Sequence, residues 1–111
     1  MADPTVKEIL EQQIPQRLET NANLANEINA LVQFQITGDG GGTWTLDTTG
    51  GNKKMESGAH GDPKMVISCT DQDFIKIATK QLNANMAAMS GKLKFKPMDM
   101  ALAMKLGKLL G

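Results

Sequence analysis

The N-terminal part of the chain has apolar residues at the spacing of an amphipathic helix. Between residues 4 and 19, Glu and Gln separate apolar residues that recur at helical intervals: Val6, Ile9, Leu10, Ile14 and Leu18. This period predicts a helix, capped by Asp3 and with Pro4 at its first position. Because Pro15 lacks a backbone N–H, the helix should kink or divide near Ile14. A short second helix is predicted over residues 23–30.

The middle of the chain changes to a period of two, which is the period of a β-strand. Apolar residues alternate with polar ones in three runs: Val32, Phe34 and Ile36; Trp44 and Leu46; Met65, Ile67 and Cys69. Eight of the eleven glycines lie between Gly38 and Gly61 and supply turns. We therefore predict strands over residues 32–37, 43–47, 53–58 and 64–69. The strand at 53–58 has mixed polarity, which is typical of a sheet edge.

The rest of the chain returns to helical spacing on both sides of one further strand. Thr70-Asp71-Gln72-Asp73 resembles a capping box with Asp in place of Glu, and it predicts a helix that ends near Gln81. The pattern then predicts a short helix over residues 83–90, a strand over 92–96 and a final helix over 98–110.

Length and charge limit the class of protein. The chain has 111 residues, of which 41% are apolar and 22% charged, so we expect one folded domain over residues 1–111. Twelve basic residues balance twelve acidic ones, which gives no overall attraction to nucleic acid or anionic lipid. The charge is uneven, because residues 1–70 carry nine acidic and five basic residues and residues 71–111 carry three and seven. A basic C-terminal face is therefore expected.

Several features of the sequence bear on location. Cys69 is the only cysteine, so no intrachain disulfide can form and a reducing compartment is expected. No run of residues is apolar enough to span a bilayer, and no signal-peptide pattern is present at the N-terminus. The chain ends Lys108-Leu109-Leu110-Gly111, which differs from a peroxisomal Ser-Lys-Leu tripeptide. From these features we expect a cytoplasmic protein.

The sequence offers few residues for catalysis or metal binding. The only histidine, His60, lies in a glycine-flanked turn, where the side chain is usually solvated. Cys69 alternates onto an apolar face, so we interpret it as a small buried hydrophobe and not as a nucleophile paired with His60. The glycine run 38–42 precedes a strand, unlike a phosphate-binding loop, which opens a helix. We therefore expect no enzyme activity, no metal and no cofactor.

The C-terminal part of the chain is unusually apolar. Residues 98–110 are interrupted by only one Asp and two Lys, and five of the eight methionines lie between Met86 and Met104. Methionine fills irregular space, and aromatic residues, which are rigid core anchors, make up only 4% of the chain. This composition is compatible with a loosely filled hydrophobic cavity and equally with an ordinary helix packed on a sheet. Periodicity alone leaves both interpretations open.

Six segments occur in an order and spacing that match one known family. They are Asn29–Gly38, Gly42–Asp47, the Asp62-Pro63 turn with the Met65/Ile67 strand, Asp71–Phe74, Met89–Lys96 and Met100–Leu106. Together they resemble the sterol carrier protein type two family of lipid-transfer domains. The resemblance implies an α+β fold, with a five-stranded, mainly antiparallel sheet covered on one face by about five helices and a hydrophobic tunnel between the layers. Lys96-Pro97-Met98-Asp99-Met100 departs from the family's usual Gly-Asp before the Met, so we expect a reshaped tunnel mouth.

The resemblance also implies a function. It implies a non-catalytic carrier that binds a fatty acid, fatty acyl-CoA, sterol or phospholipid and transfers it between membranes or enzymes. By position, the lipid-binding tunnel wall would include Phe34, Trp44, Met65, Ile67, Phe74, Ile77, Met86, Met89, Leu93, Phe95, Leu102, Met104, Leu106 and Leu109. Each of these residues is equally open to a plain core role. We expect the carrier to act as a monomer.

Lysines of the C-terminal part suggest a contact with membranes. Five of them are expected to meet anionic headgroups during lipid exchange: Lys92, Lys94, Lys96, Lys105 and Lys108. A nucleic-acid site would need exposed aromatic residues beside them, whereas Leu93 and Phe95 should face inward. We therefore expect no nucleic-acid partner.

A competing hypothesis belongs to another class of function. A helper or interaction module would dock a partner protein through the apolar C-terminal helix and would have a solidly packed interior without a tunnel. The two hypotheses differ in whether lipid co-purifies with the protein.

Overall fold

The computed structural model describes residues 5–96 and 100–110. Within these ranges a five-stranded sheet is covered on one face by helices, which confirms the predicted α+β class. The strands are β1 (Leu31–Thr37), β2 (Gly42–Asp47), β3 (Lys54–Ser57), β4 (Met65–Thr70) and β5 (Lys94–Lys96). The helices are α1 (Val6–Glu8), α2 (Ile14–Thr20), α3 (Ala22–Ile28), α4 (Asp71–Ala78), α5 (Ala84–Met89) and α6 (Met100–Leu110). A π-helical segment, Ile9–Gln13, joins α1 to α2, and a 3-10 turn, Thr49–Gly51, follows β2.

The first helix runs without a break through α1, the π-helical segment and α2. The Glu8 amide donates to Thr5 Oγ1 at 3.1 Å, so Thr5 caps the helix. This cap corrects the predicted start, and the predicted cap Asp3 and first residue Pro4 lie outside the described residues. The backbone at Ile14 stays helical, with φ −66° and ψ −47°. The predicted interruption before Pro15 is therefore a wider π-helical turn and not a division.

The strands lie in the order β3-β2-β1-β4-β5. β1 pairs antiparallel with β2 and parallel with β4, and the two outer pairs, β2 with β3 and β4 with β5, are antiparallel. The sheet is therefore mixed, with a single parallel pair in its centre, and the expectation of a mainly antiparallel sheet is confirmed. β3 lies at an edge of the sheet, as its mixed polarity predicted.

The core lies between the sheet and the helices. Residues at the predicted inward positions of β1 and β4, such as Phe34 and Ile67, are fully buried. Phe34 in the centre of the sheet packs edge-to-face against Phe74 of α4, with ring centroids 6.2 Å apart and an interplanar angle of 74°. Such a pair contributes about 1 kcal/mol of stability beyond the free energy gained by burying the rings. The contact fixes α4 across the central strands.

One strand departs from strict alternation. Trp44, Thr45 and Leu46 are consecutive in β2 and are all buried, although Thr45 was predicted on the polar face. The loop after β3 covers it, since the Thr45 hydroxyl donates to the Gly58 carbonyl at 2.8 Å and accepts the His60 amide at 3.1 Å. Burial of this hydroxyl is therefore compensated by hydrogen bonds.

Two helices end earlier than the sequence pattern predicted. α3 ends at Ile28, and Asn29 after it takes a left-handed conformation with φ +40°. α4 ends at Ala78 and not near Gln81, because Lys80 is also left-handed, with φ +65°. A left-handed residue cannot continue a right-handed helix. The turn at Lys80 shapes the surface described below.

Candidate functional site

Eleven of the fourteen residues predicted to line a tunnel are buried. They are Phe34, Trp44, Met65, Ile67, Phe74, Ile77, Leu93, Phe95, Leu102, Leu106 and Leu109. The strands supply one wall of this set, α4 and α6 supply the other, and Leu93 lies just before β5. We call these eleven residues the apolar layer. The structure brings them together between the sheet and the helices, while a tunnel through them stays a prediction.

The other three predicted wall residues lie on the surface. Met86, Met89 and Met104 expose 66%, 87% and 59% of their surface. α5 is only six residues long and buries Ala87, with 0% exposed, in place of its methionines. A wall role for these methionines stays a prediction, and in this conformation they form exposed apolar surface.

Helix α6 covers the apolar layer and is held by a polar contact that the sequence analysis missed. One guanidinium nitrogen of Arg17, Nη1, donates to the carbonyls of Leu109 at 2.9 Å and Leu110 at 2.6 Å. The other, Nη2, donates to the carbonyl of Ala78 at 3.2 Å. The cation thus sits at the C-terminal ends of α4 and α6, where the helix dipole favours positive charge. The available signal was that Arg17 is the only arginine in the chain.

An open groove of about 430 Å³ lies beside the apolar layer, between the end of α4, the turn after it, and α6. We call it the α4–α6 groove, and its lining residues are Ile77, Lys80, Leu82, Asn83, Ala84, Met104, Gly107 and Lys108. Ile77 belongs both to this lining and to the apolar layer, and only 1% of it is exposed. The groove therefore borders directly on the buried interior.

A second groove, of about 600 Å³, lies between α2 and α6. Six of its eight lining residues are polar, including Gln13, Gln16, Arg17 and Thr20. Ligand sites for hydrophobic molecules are lined mainly by apolar groups. This groove is therefore less suited to a hydrocarbon chain than the α4–α6 groove.

The five lysines predicted to contact membranes lie on two sides of the molecule. In β5, Phe95 is buried under the helices while Lys94 and Lys96 are exposed on the opposite, open face of the sheet. Lys92 is exposed just before β5. Lys105 and Lys108 belong to α6 in the helical layer, and Lys105 Nζ donates to the carbonyl of Glu27 at 3.1 Å. Lys94 and Lys96 thus belong to the sheet and Lys105 and Lys108 to the helical layer, and membrane contact by the five lysines stays a prediction.

The groups with catalytic potential are far apart. Burial raises the pKa of the Cys69 thiol to about 12, and the negative charges of Asp73 and Asp71 add to the effect. The thiol is therefore neutral at pH 7 and is a poor nucleophile. His60 follows edge strand β3, and its Nε2 lies 2.7 Å from the carbonyl oxygen of Ser57. Strands β2 and β1 separate β3 from the β4 strand of Cys69, which puts about 14 Å between those backbones.

In residues 5–96 and 100–110, His, Cys, Asp and Glu side chains form no group of three that could hold a metal ion. Across the same two ranges, every helix is too short or too polar to cross a bilayer.

Comparison with known sequences identifies relatives of this chain. The profile of the SCP-2 sterol transfer family matches residues 7–111. Hydroxysteroid dehydrogenase-like protein 2 from Homo sapiens is 44% identical over 87 residues, which are 73% of this chain and 19% of that protein. The Rattus norvegicus protein of the same name is 42% identical over 85 residues, which are 73% of this chain and 16% of that protein. The chain thus spans less than a fifth of the length of these relatives.

Comparison with solved structures identifies the same fold. Sterol carrier protein 2 from Yarrowia lipolytica, in its apo form, superposes with a TM-score of 0.75 at 22% identity, covering 99% of this chain and 93% of that chain. Palmitated SCP2L2 from Aedes aegypti superposes with a TM-score of 0.77 at 25% identity, covering 96% of this chain and 95% of that chain. The arrangement of sheet and helices is common to all three.

Proposed function

The chain belongs to the SCP-2 sterol transfer family, and from this premise we propose that it is a non-catalytic carrier that holds one long-chain lipid between its sheet and its helices. Lipid binding and transfer are the functions that the family supports. The observation that carries the proposal is the apolar layer under α6, on a fold shared with a palmitated relative. The cargo is then handed to membranes or enzymes.

Hydrocarbon burial supplies the binding free energy. Each CH₂ group that leaves water for an apolar environment contributes about 0.8 kcal/mol, so a long acyl chain needs no specific polar partner along its length. α6 presents Leu102, Leu106 and Leu109 to the interior. A lipid can reach this interior when α6 moves, and the Arg17 contact with its C-terminal end opposes that movement. In the proposal, α6 therefore regulates entry.

No chemical step is part of the proposal. The dehydrogenase-like names belong to relatives of which this chain covers 16–19%, so their activity is not assigned to it. The thiol of Cys69 is held in its neutral form by burial, which raises its pKa to about 12. Cytoplasmic location and a monomeric state stay predictions from the sequence.

Membrane contact is proposed for the helical side of the molecule. The exposed side chains of Met86 and Met89 lie in the helical layer together with Lys108. Apolar side chains enter the interface and lysines bind anionic headgroups, with about 1 kcal/mol for each lysine near the surface. Vesicle-to-vesicle transfer should slow in Met86→Ser/Met89→Ser and stay unchanged in Lys94→Gln/Lys96→Gln. The reverse pattern would assign contact to the open face of the sheet, and a rate independent of anionic lipid and salt would exclude headgroup contact.

Native mass spectrometry of the protein purified from cells tests the carrier proposal. We expect a lipid adduct, and uptake of a fluorescent fatty acid by the delipidated protein. Leu106→Trp adds bulk to a fully buried position of α6 and should weaken uptake at least about fivefold. Ala101→Trp adds the same bulk to an exposed position of the same helix and should leave uptake unchanged. A clean apo mass without uptake would favour the helper-module hypothesis.

A further inference from the structure

We propose that the α4–α6 groove binds the carboxylate of a long-chain fatty acid between Lys80 and Lys108, with the acyl chain directed past Ile77 into the apolar layer. The inference rests on the proposed carrier function and makes it more specific. It assigns a head-group site and a preference for anionic single-chain lipids over neutral ones of equal length.

The groove combines an apolar wall with a cationic rim. Ile77, Leu82, Ala84 and Met104 supply hydrocarbon surface, the two lysines are the charged residues of the lining, and no acidic residue is among the lining residues. Its volume of about 430 Å³ lies within the 300–1,000 Å³ range that is usual for small-molecule sites. An amphipathic ligand with an anionic head fits this distribution of charge and apolar surface.

Both ammonium groups are available to a ligand. Lys80 and Lys108 are exposed, and neither forms an ion pair or a side-chain hydrogen bond with another residue in the ranges 5–96 and 100–110. A fatty-acid carboxylate is ionised at pH 7, like the side chain of Glu. A carboxylate therefore gains charge-assisted hydrogen bonds here that an alcohol or an ester does not gain.

The backbone at Lys80 supports a functional role for this side chain. Its φ of +65° is left-handed, a conformation in which a β-carbon is unfavourable and glycine is the usual residue after a helix. The turn is closed by the Lys80 amide to the Ile77 carbonyl at 3.1 Å and by the Gln81 amide to the Lys76 carbonyl at 2.8 Å. A lysine in a strained conformation, at a position that glycine would adopt more easily, points to a use for its side chain.

Gly107 supports the same interpretation from the other side of the groove. It lies inside α6, where glycine weakens a helix relative to alanine. Packing does not require it, because a β-carbon at this position would lie 3.8 Å from Ala84 Cβ, which is an ordinary contact. A larger side chain at Gly107 would instead fill the groove.

Displacement of a fluorescent fatty acid by palmitate and by hexadecanol, which has the same chain length and no charge, tests the inference. We expect the natural protein to bind palmitate about tenfold more tightly than hexadecanol, and added salt to reduce this difference. Lys80→Gly/Lys108→Gln should lose about tenfold in palmitate affinity and keep its hexadecanol affinity. The matched control Lys94→Gln/Lys96→Gln removes two lysines from the open face of the sheet and should change neither affinity.

The fold of the variants is checked by their melting temperatures. Lys80→Gly relieves the left-handed strain, so the single variant should melt a few degrees higher while it binds palmitate more weakly. A purely structural role for Lys80 would not separate these two readouts. Gly107→Leu should weaken palmitate binding, while Gly107→Ala should raise the melting temperature.

Three outcomes would overturn the inference. They are equal affinity for palmitate and hexadecanol in the natural protein, an equal loss of both ligands in Lys80→Gly/Lys108→Gln, and the same loss in the control pair. In each case the carrier function would stand. Failure of the natural protein to bind any of these ligands would instead contradict the proposed function.

Discussion

The inner face of the sheet and the C-terminal helices, α5 and α6, use apolar residues in different ways. In β1 and β4 the inward positions predicted from alternation, such as Phe34 and Ile67, are buried. In α5 and α6 three large apolar side chains, Met86, Met89 and Met104, are exposed. The inward positions of these strands are thus covered by the helices, whereas the C-terminal helices leave large apolar side chains uncovered. A surplus of exposed apolar surface is typical of a region that contacts a ligand, a partner or a membrane.

The two regions are also held by different interactions. Backbone ladders to β2 and β4 flank β1 on both sides, and the Phe34–Phe74 ring contact joins the centre of the sheet to α4. α6 is held by its buried leucines and by the hydrogen bonds of Arg17 to Leu109 and Leu110. We therefore expect the sheet to set global stability and α6 to open locally.

The largest expected effect is that of Phe34→Ala in the sheet. The side chain is fully buried, so its removal leaves a cavity and should lower the free energy of unfolding by about 4 kcal/mol in denaturant titrations. Gln35→Ala, at the exposed neighbouring position of β1, should change it by less than about 0.5 kcal/mol. A loss under about 1 kcal/mol for Phe34→Ala would mean that the sheet face is loosely packed, and the contrast with α6 would fail.

Arg17→Ala should separate the two regions. Loss of its hydrogen bonds to the carbonyls of Leu109, Leu110 and Ala78 should lower the free energy of unfolding by about 2 kcal/mol. The loss is no larger because water can reach the partly exposed carbonyls. Hydrogen exchange should accelerate in α6 more than in β1. Arg17→Lys keeps the charge without the planar guanidinium group, so its free energy of unfolding should lie between those of the natural protein and Arg17→Ala. Equal acceleration in α6 and β1 would contradict separate opening of α6.

The pH dependence of stability tests burial at the sheet's inner face through Cys69. Its folded pKa, about 12, exceeds the ordinary value of 9.0 because the thiol is buried. The folded state therefore holds the thiol proton more tightly than the unfolded state does. The contribution of this thiol to stability is complete below pH 9 and is lost as pH rises toward 12. At pH 10 the loss should be about 1.4 kcal/mol. The free energy of unfolding of Cys69→Ala, measured by denaturant titration, should fall less steeply between pH 8 and pH 10 than that of the natural protein. An unchanged slope would show that the thiol is accessible.

The smallest effect is expected at the exposed methionines. Met89→Ser should change the free energy of unfolding by less than about 0.5 kcal/mol, because 87% of the side chain is exposed. The same substitution at Met65, which is fully buried in β4, should cost at least about 2 kcal/mol. A large loss at Met89 in thermal or chemical unfolding would mean that α5 packs its methionines inward in solution, as the family resemblance implied.

The strands were predictable because their signal is local. Neighbouring residues alone show the alternation in 32–37 and 64–69 and the glycines between the runs, so no knowledge of tertiary contacts is needed. The mixed polarity of β3 likewise predicted its position at the edge of the sheet. The ends of the helices were predicted less accurately. The end of α4 depends on the left-handed Lys80, a residue type with no preference for that conformation, so nothing in the sequence pattern marked it.

The candidate site was only partly predictable. Eleven buried residues of the apolar layer were named from the sequence and the resemblance, because inward positions of strands and helices converge on one core. The resemblance also placed the three exposed methionines in the predicted wall, because a family position does not tell which apolar side chains a short helix leaves uncovered. Arg17 was missed because its carbonyl partners at Leu109 and Leu110 lie at the other end of the chain.

Local patterns in the sequence specify the type and order of the elements and the inward faces of the strands, and six segments of it indicate the family. These depend on side-chain periods and turn residues within a few positions of one another. Three features depend on tertiary packing: the contact of Arg17 with the end of α6, the exposure of Met86 and Met89, and the groove that Lys80 and Lys108 line together. Such relations depend on how separate elements pack, and packing joins residues that no local period connects.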